Sequence, residues 1–239
     1  LHGPRGEFSG TCGINKKMKD YVEVVYNENE RPVTTYPDKL AYYLFKRFGM
    51  QAGDKLLDNG CGRGDFLSGF AKLGLKCYGT DISMHAKDRI SGFAEFYMVN
   101  IESGLLPFND NFFDIVFTKS VIEHFYNPSN FIQECYRVLK PGGRIIIMTP
   151  DWKTTIFIFY DDPTHVHPYT CASIRELLIL NGFRNVATEM FYQLPILWKC
   201  SWLRIFARCL QLFGPVKRVY TNKFIRWSRE LMVLGTGVK

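Results

Sequence analysis

At 239 residues, with 46% hydrophobic side chains and a net charge of +7, the chain has the size and composition of one α/β domain with a substantial core. No apolar run approaches the roughly 20 residues of a bilayer-crossing helix, and no secretory pattern opens the sequence. Seven scattered cysteines without CxxC spacing argue against a disulfide framework or zinc cluster, and for a reducing compartment.

The charge is concentrated. From Pro195 onward nine Lys/Arg face one acid, Glu230, whereas the remainder carries 21 basic and 22 acidic side chains. The isoelectric point alone therefore does not make this a nucleic-acid binder. A cytoplasmic protein, membrane-peripheral at most, is expected.

Leu1 to Cys12 lack an initiator Met and are rich in Gly. Residues 1–15 read as an appended remnant or the cut edge of a longer polypeptide, and residues 16–239 as one domain. Within it, 16–37 are polar and Tyr-rich, with breakers at Arg31-Pro32 and Tyr36-Pro37, and read as a lid. A helix follows from Asp38 to Phe48, where apolar residues recur at helical spacing. The run Lys55-Leu56-Leu57-Asp58-Asn59-Gly60-Cys61-Gly62-Arg63-Gly64-Asp65 then reads as a short strand breaking into a glycine loop, with a helix opening behind it. Alternate glycines let the backbone turn tightly and approach a ligand closely. A dinucleotide loop requires G-x-G-x-x-G/A. The third position here is Asp65, or Leu67 in the register from Gly62, so the loop is poorly suited to NAD or FAD. Cys61 reads as a small loop residue rather than a redox centre.

A second strand, Lys76 to Thr80, ends in Asp81, about 20 residues past the glycines, where a carboxylate can accept both hydroxyls of a ribose. A third, Phe96 to Val99, runs into Asn100-Ile101-Glu102, and a fourth, Phe113 to Phe117, into Lys119 and Ser120. Ser120-Val121-Ile122-Glu123-His124 leads to a helix ending Lys140-Pro141-Gly142-Gly143, and a fifth strand spans Arg144 to Met148. Asn185 to Tyr192 and Leu231 to Val238 are expected to finish the sheet as an antiparallel pair.

This ordered set, over roughly residues 40–192, resembles the class I S-adenosylmethionine (SAM)-dependent methyltransferases. The resemblance implies a Rossmann-like α/β fold, with a seven-stranded sheet, helices on both faces and the last strand antiparallel. It implies SAM as cofactor, its methionine end against Gly60, Cys61, Gly62 and Gly64, with Asp58 meeting the ammonium or the residues that hold it. Asp81 would take the ribose, with Ile82 beside it also in the cofactor site, and Asn100 and Ile101 would border adenine, although relatives commonly carry an acid where this chain has Asn100. Lys119 and Ser120 end the fourth strand at the edge where open α/β sheets bind ligands. The Glu-His pair at 123–124 is a general feature of that family, read as structural or cofactor-bordering rather than catalytic.

Beyond the fifth strand comes a dense polar cluster, Tyr160-Asp161-Asp162-Pro163-Thr164-His165-Val166-His167-Pro168-Tyr169-Thr170, before a helix from Ile174 to Leu180. The string resembles a subset of methyltransferases of polysaccharide biosynthesis, which implies a sugar or glycan hydroxyl as acceptor and an O-methyl product. A lipid-like or other small hydroxylated metabolite is the alternative acceptor. A non-catalytic SAM-binding scaffold is a third reading, disfavoured by the intact glycine loop and the polar cluster. Two mechanisms fit. In the preferred one His165 or His167 is a general base oriented by Asp161 or Asp162. In the other, Asp161, Asp162 and His165 hold a divalent metal that lowers the hydroxyl pKa. On an extended stretch His165 and His167 would point the same way. The plainest reading is that Asp162 and His165 merely lock the loop.

Residues 195–230 form a basic aromatic insertion between the last two strands, with three of the four tryptophans. From Leu197 to Phe213 the apolar residues Trp198, Trp202, Ile205 and Phe206 fall at helical spacing, which predicts one helix with these on one face. Core packing with a solvated basic rim is the default; a membrane surface or a partner domain are alternatives. Nucleic acid is disfavoured because no RNA-binding motif accompanies the segment.

Overall fold

The computed structural model describes residues 32–84, 87–102, 104–200, 202–213 and 222–239; the expected remnant at 1–15 and the lid residues 16–31 lie outside them. Seven strands, β1 (Lys55–Asn59), β2 (Lys76–Asp81), β3 (Ala94–Met98), β4 (Phe113–Lys119), β5 (Leu139–Pro150), β6 (Arg184–Phe191) and β7 (Met232–Val238), make one sheet in the order β3-β2-β1-β4-β5-β7-β6. Neighbours among β1 to β5 pair in parallel, and β7 runs antiparallel to both β5 and β6. The helices are α1 (Tyr36–Phe48), α2 (Asp65–Ala71), α3 (Lys87–Ile90), α4 (Pro128–Val138), α5 (Trp152–Thr155), α6 (Cys171–Leu180), α7 (Pro195–Lys199), α8 (Leu203–Phe213) and α9 (Lys223–Arg229).

Parallel strands are covered on both faces, and the side-chain period of two divides them between two cores. Leu56, Ile115, Phe117, Ile146 and Met148 pack with Leu40 and Leu44 of α1 and Leu67 and Phe70 of α2. Their sequence neighbours Leu57, Val116, Ile145 and Ile147 face the other way, against Phe131 and Ile132 of α4 and Ile174 and Leu178 of α6. The consequence for function is that all five parallel strands release their loops at one edge. Helix α1 begins two residues inside the expected lid, with Pro37 in its first turn, and ends at Gly49 in the left-handed region (φ 64°).

Three local expectations move. Strand β5 starts at Leu139, because Leu139 pairs with Phe113 and a register shift before Ile115 absorbs Pro141-Gly142-Gly143. Helix α6 begins at Cys171, where Thr170 and Ser173 form a reciprocal capping box.

The third change is in the insertion. The single helix expected from Leu197 to Phe213 is two, α7 and α8, parted at Cys200, whose φ −115° and ψ 85° are not helical. The break rotates the two tryptophans apart. Trp198 joins the core, its indole N–H donating to the Tyr192 carbonyl at 2.7 Å and its ring packed on Tyr43, whereas Trp202 is 60% exposed. Among the described residues, no helix is long and apolar enough to cross a membrane.

Candidate functional site

At the carboxyl edge of β1 the chain turns through Gly60, Gly62 and Gly64 at φ 88°, 52° and 77°, a region that favours glycine. Space as well as conformation excludes other residues: a Cβ on Gly60 would lie 2.4 Å from Val121 Cγ2, and one on Gly64 2.5 Å from Ile90 Cγ1. At Gly62 a Cβ would meet nothing within 4 Å, so this glycine faces open space at the edge. Asp81, at the end of β2, fixes the loop from the next strand. Its Oδ2 accepts the Gly62 N–H at 2.8 Å and its Oδ1 the Ser83 N–H at 3.0 Å. Ionised carboxylate oxygens have about four lone-pair sites between them, so a carboxylate oriented in this way can still accept hydroxyls. Ile82, beside it, is 65% exposed, and Ser120 at the end of β4 is held at φ 57°, an uncommon conformation for a non-glycine residue.

Asp58 is fully buried beneath this loop. Its carboxyl is pushed up to about 8, by burial above all and then by the Asp81 charge, with Lys119 pulling it back in part. This has a testable sign. The folded value of about 8 exceeds the ordinary 3.8, so folding retains a proton that the unfolded chain releases. Asp58 is then harmless to stability below about pH 4 and costs progressively more as pH rises to about 8. Asp58→Asn is expected to stabilise the ligand-free chain distinctly more at pH 8.5 than at pH 5, read as the difference in denaturation midpoint. Equal effects at both pH values would contradict the burial argument.

A second group lies at the same edge beyond β4. The turn Ile122–His124 carries Glu123, fully buried, whose Oε2 accepts the Thr149 hydroxyl at 2.9 Å while Oε1 has no hydrogen-bond partner among the described residues. Burial pushes the Glu123 carboxyl up to about 7. The Glu123 carbonyl accepts the N–H groups of Val166 (2.9 Å) and His167 (3.0 Å), which ties the polar loop to the Glu-His turn. His165 Nδ1 lies 2.7 Å from the Phe159 carbonyl and His124 Nδ1 3.2 Å from the Thr164 carbonyl. A carbonyl only accepts, and the Thr164 hydroxyl, 2.9 Å from His124 Nδ1, gives its own proton to Asp162, so Nδ1 is the donor in both rings and the lone pair of each imidazole in its neutral form is on Nε2. The two rings lie 4.8 Å apart, and His165 Nε2 is 3.9 Å from Asp162 Oδ2. Burial, and then the neighbouring His165, lowers the His124 pKa.

The expected site residues separate accordingly. Asp58, the glycines, Asp81, Ile82, Lys119 and Ser120 gather at one edge. The Cys61 side chain turns into the core beneath the loop, where burial raises its thiol pKa, so only its backbone is available at the surface. Ile101 is also buried in a core cluster, whereas Asn100 is exposed and accepts the Glu102 N–H at 3.2 Å.

In the polar loop, Asp162 accepts both the N–H and the hydroxyl of Thr164, and Asp161 is exposed at the end of a short 3-10 turn. Residues 165–168 are not a regular strand, so the alternation expected of an extended stretch does not set the two rings: His165 packs on Phe159 and His167 stacks on Tyr169 at 4.9 Å. Among the described residues, Glu123, His124 and His165 bring possible ligand atoms within 4.8 Å of one another, a group that shares only His165 with the expected metal set of Asp161, Asp162 and His165. The signal for Glu123 was a carboxylate following apolar Val121 and Ile122, which marks burial rather than a solvated turn.

Comparison with known proteins fits this geometry. A family profile described as "Methyltransferase domain" matches residues 57–147. A probable S-adenosylmethionine-dependent methyltransferase of Mycolicibacterium smegmatis is 32% identical over 55% of the chain and 52% of its own length. The uncharacterized protein MJ0638 of Methanocaldococcus jannaschii is 30% identical over 80% of the chain and 81% of its own length. The rat mitochondrial ubiquinone biosynthesis O-methyltransferase is 37% identical over 41% of the chain, but over only 31% of that enzyme. The chain thus spans about half or less of the named enzymes among these relatives. A SAM-dependent methyltransferase from Archaeoglobus fulgidus superposes with a TM-score of 0.66 at 22% identity, covering 92% of this chain and 100% of that one.

Proposed function

We propose that the chain is a class I S-adenosylmethionine-dependent methyltransferase, a reading supported by the methyltransferase-domain profile over residues 57–147, and that it methylates a hydroxyl oxygen on a small acceptor with an apolar body. SAM fits the residues of the glycine edge. The positive-φ glycines with open space at Gly62 suit a closely approaching methionine end, and the oriented Asp81 carboxylate suits a ribose. Asp58 suits an ammonium, since a buried acid gains most from a cationic partner. Ile82 and Asn100 are the exposed side chains available to adenine.

When bound, the cofactor supplies a methyl group already activated on a sulfonium. What falls to the chain is alignment of the acceptor and loss of its proton. The observation that carries the reading is His165, fixed through Nδ1–H on the Phe159 carbonyl, which directs the lone pair to Nε2 beside Asp162. A hydroxyl, unlike a thiolate or carbanion, needs such a group.

Exposed Ile156, Phe157 and Tyr160, close by in the same loop, support an acceptor with an apolar body. So does the ubiquinone-pathway relative, whose acceptor hydroxyl is a natural first choice. A sugar hydroxyl is the second reading, carried by the resemblance of the 160–170 string. A panel of phenolic, sugar and amine acceptors, scored by methyl transfer, tests the proposal. Turnover is expected on phenolic hydroxyls, turnover on sugars alone would move the acceptor to the second reading, and turnover on amines alone would overturn O-methylation.

A further inference from the structure

We propose that Glu123, His124 and His165 form a binding site for a divalent cation of the zinc, cobalt or manganese type, beside the acceptor. The inference rests on the acceptor reading of this edge and deepens it. Three side chains from two segments each offer one ligand atom, and these atoms lie within 4.8 Å of one another. In a tetrahedral site with bonds of about 2.0–2.1 Å the ligand atoms are about 3.3 Å apart, so side-chain rotations moving them by about 1.5 Å or less would close the set.

The surroundings are those of metal ligands. A metal-binding imidazole generally donates its other N–H to a carbonyl or carboxylate, which sets the tautomer and aims the lone pair. Both histidines have that arrangement, His124 on the Thr164 carbonyl at 3.2 Å and His165 on the Phe159 carbonyl at 2.7 Å. The third ligand is held too. Thr149 donates to Glu123 Oε2 at 2.9 Å, and the buried Oε1 has no hydrogen-bond partner among the described residues. A buried, unpartnered carboxylate oxygen is costly unless something cationic meets it.

The cluster is also kept together by backbone. The Glu123 carbonyl receives the N–H groups of Val166 and His167, so the loop carrying His165 is fastened to the turn carrying Glu123 and His124. Asp162, 3.9 Å from His165 Nε2, adds negative charge at the rim.

Two imidazoles and one carboxylate favour borderline cations over magnesium or calcium, which prefer an all-oxygen shell. Three protein ligands leave a coordination position open, as in catalytic rather than structural sites. An acceptor hydroxyl entering that position would lose its proton near neutral pH, with the proton passing to solvent. The structure thereby favours the metal scheme over unaided base catalysis, with a ligand set of which only His165 was expected.

The test uses the full chain freed of metal with a chelator and titrated with Co²⁺, read by visible absorption and by calorimetry. The expected result is one Co²⁺ per chain at micromolar affinity or tighter, weakened at least tenfold in His124→Ala and in His165→Ala. Glu123→Gln is buried and is used only with a check of its melting temperature. No Co²⁺ binding, or binding untouched in both histidine variants, would overturn the site. The readout separates the two readings. Turnover that persists without bound metal removes the cation and keeps the methyltransferase reading, whereas Co²⁺ binding in a chain that methylates nothing does the reverse.

Discussion

Asp81→Ala is expected to weaken SAM binding by about 100-fold or more while the chain stays folded. One carboxylate performs two tasks here. Its oxygens hold the Gly62 and Ser83 N–H groups at 2.8 and 3.0 Å, and under the proposed cofactor reading the same oxygens accept ribose hydroxyls. Hydrogen bonds to a charged acceptor contribute about 1.5–3 kcal/mol each, and two lost at about 1.4 kcal/mol per decade give the stated factor. Asp81→Asn, which keeps one accepting oxygen and loses the charge, should fall between. Calorimetric titration of the three chains, with their melting temperatures, checks this. SAM affinity in Asp81→Ala within threefold of the unaltered chain would remove Asp81 from the ribose.

His165→Ala should reduce turnover by about 10²- to 10³-fold, the usual contribution of a group that assists proton removal, with SAM affinity within about twofold of the original. The separation follows from position. His165 contacts Phe159, Asp162 and the His124 ring, and neither the glycine loop nor Asp81 is among its partners. Its effect belongs in kcat rather than in cofactor binding. His167→Ala should do much less, because that ring is stacked on Tyr169. Full turnover in His165→Ala would return the loop to the reading in which Asp162 and His165 only lock its shape.

The cofactor edge was legible in the sequence because it follows a local grammar. A strand, a glycine turn and a helix leave Asp58 at one strand end, and the next strand leaves Asp81 at its own, without any long-range contact being needed. The second cluster was not legible in this way. Glu123 and His165 are 42 positions apart, and they meet because the Glu123 carbonyl pairs with the backbone of 166 and 167, a tertiary fact with no periodic signature. Periodicity also misled directly in the insertion. Trp198 and Trp202 are four residues apart and would share a helix face, but the extended backbone at Cys200 sends one into the core and the other to solvent.

The central claim is a SAM site built from the glycine loop, Asp58 and Asp81, and calorimetric titration of the unaltered chain with SAM tests it most directly. One SAM per chain with micromolar affinity is the predicted result. A flat titration, from a chain whose melting shows it folded, would contradict the account.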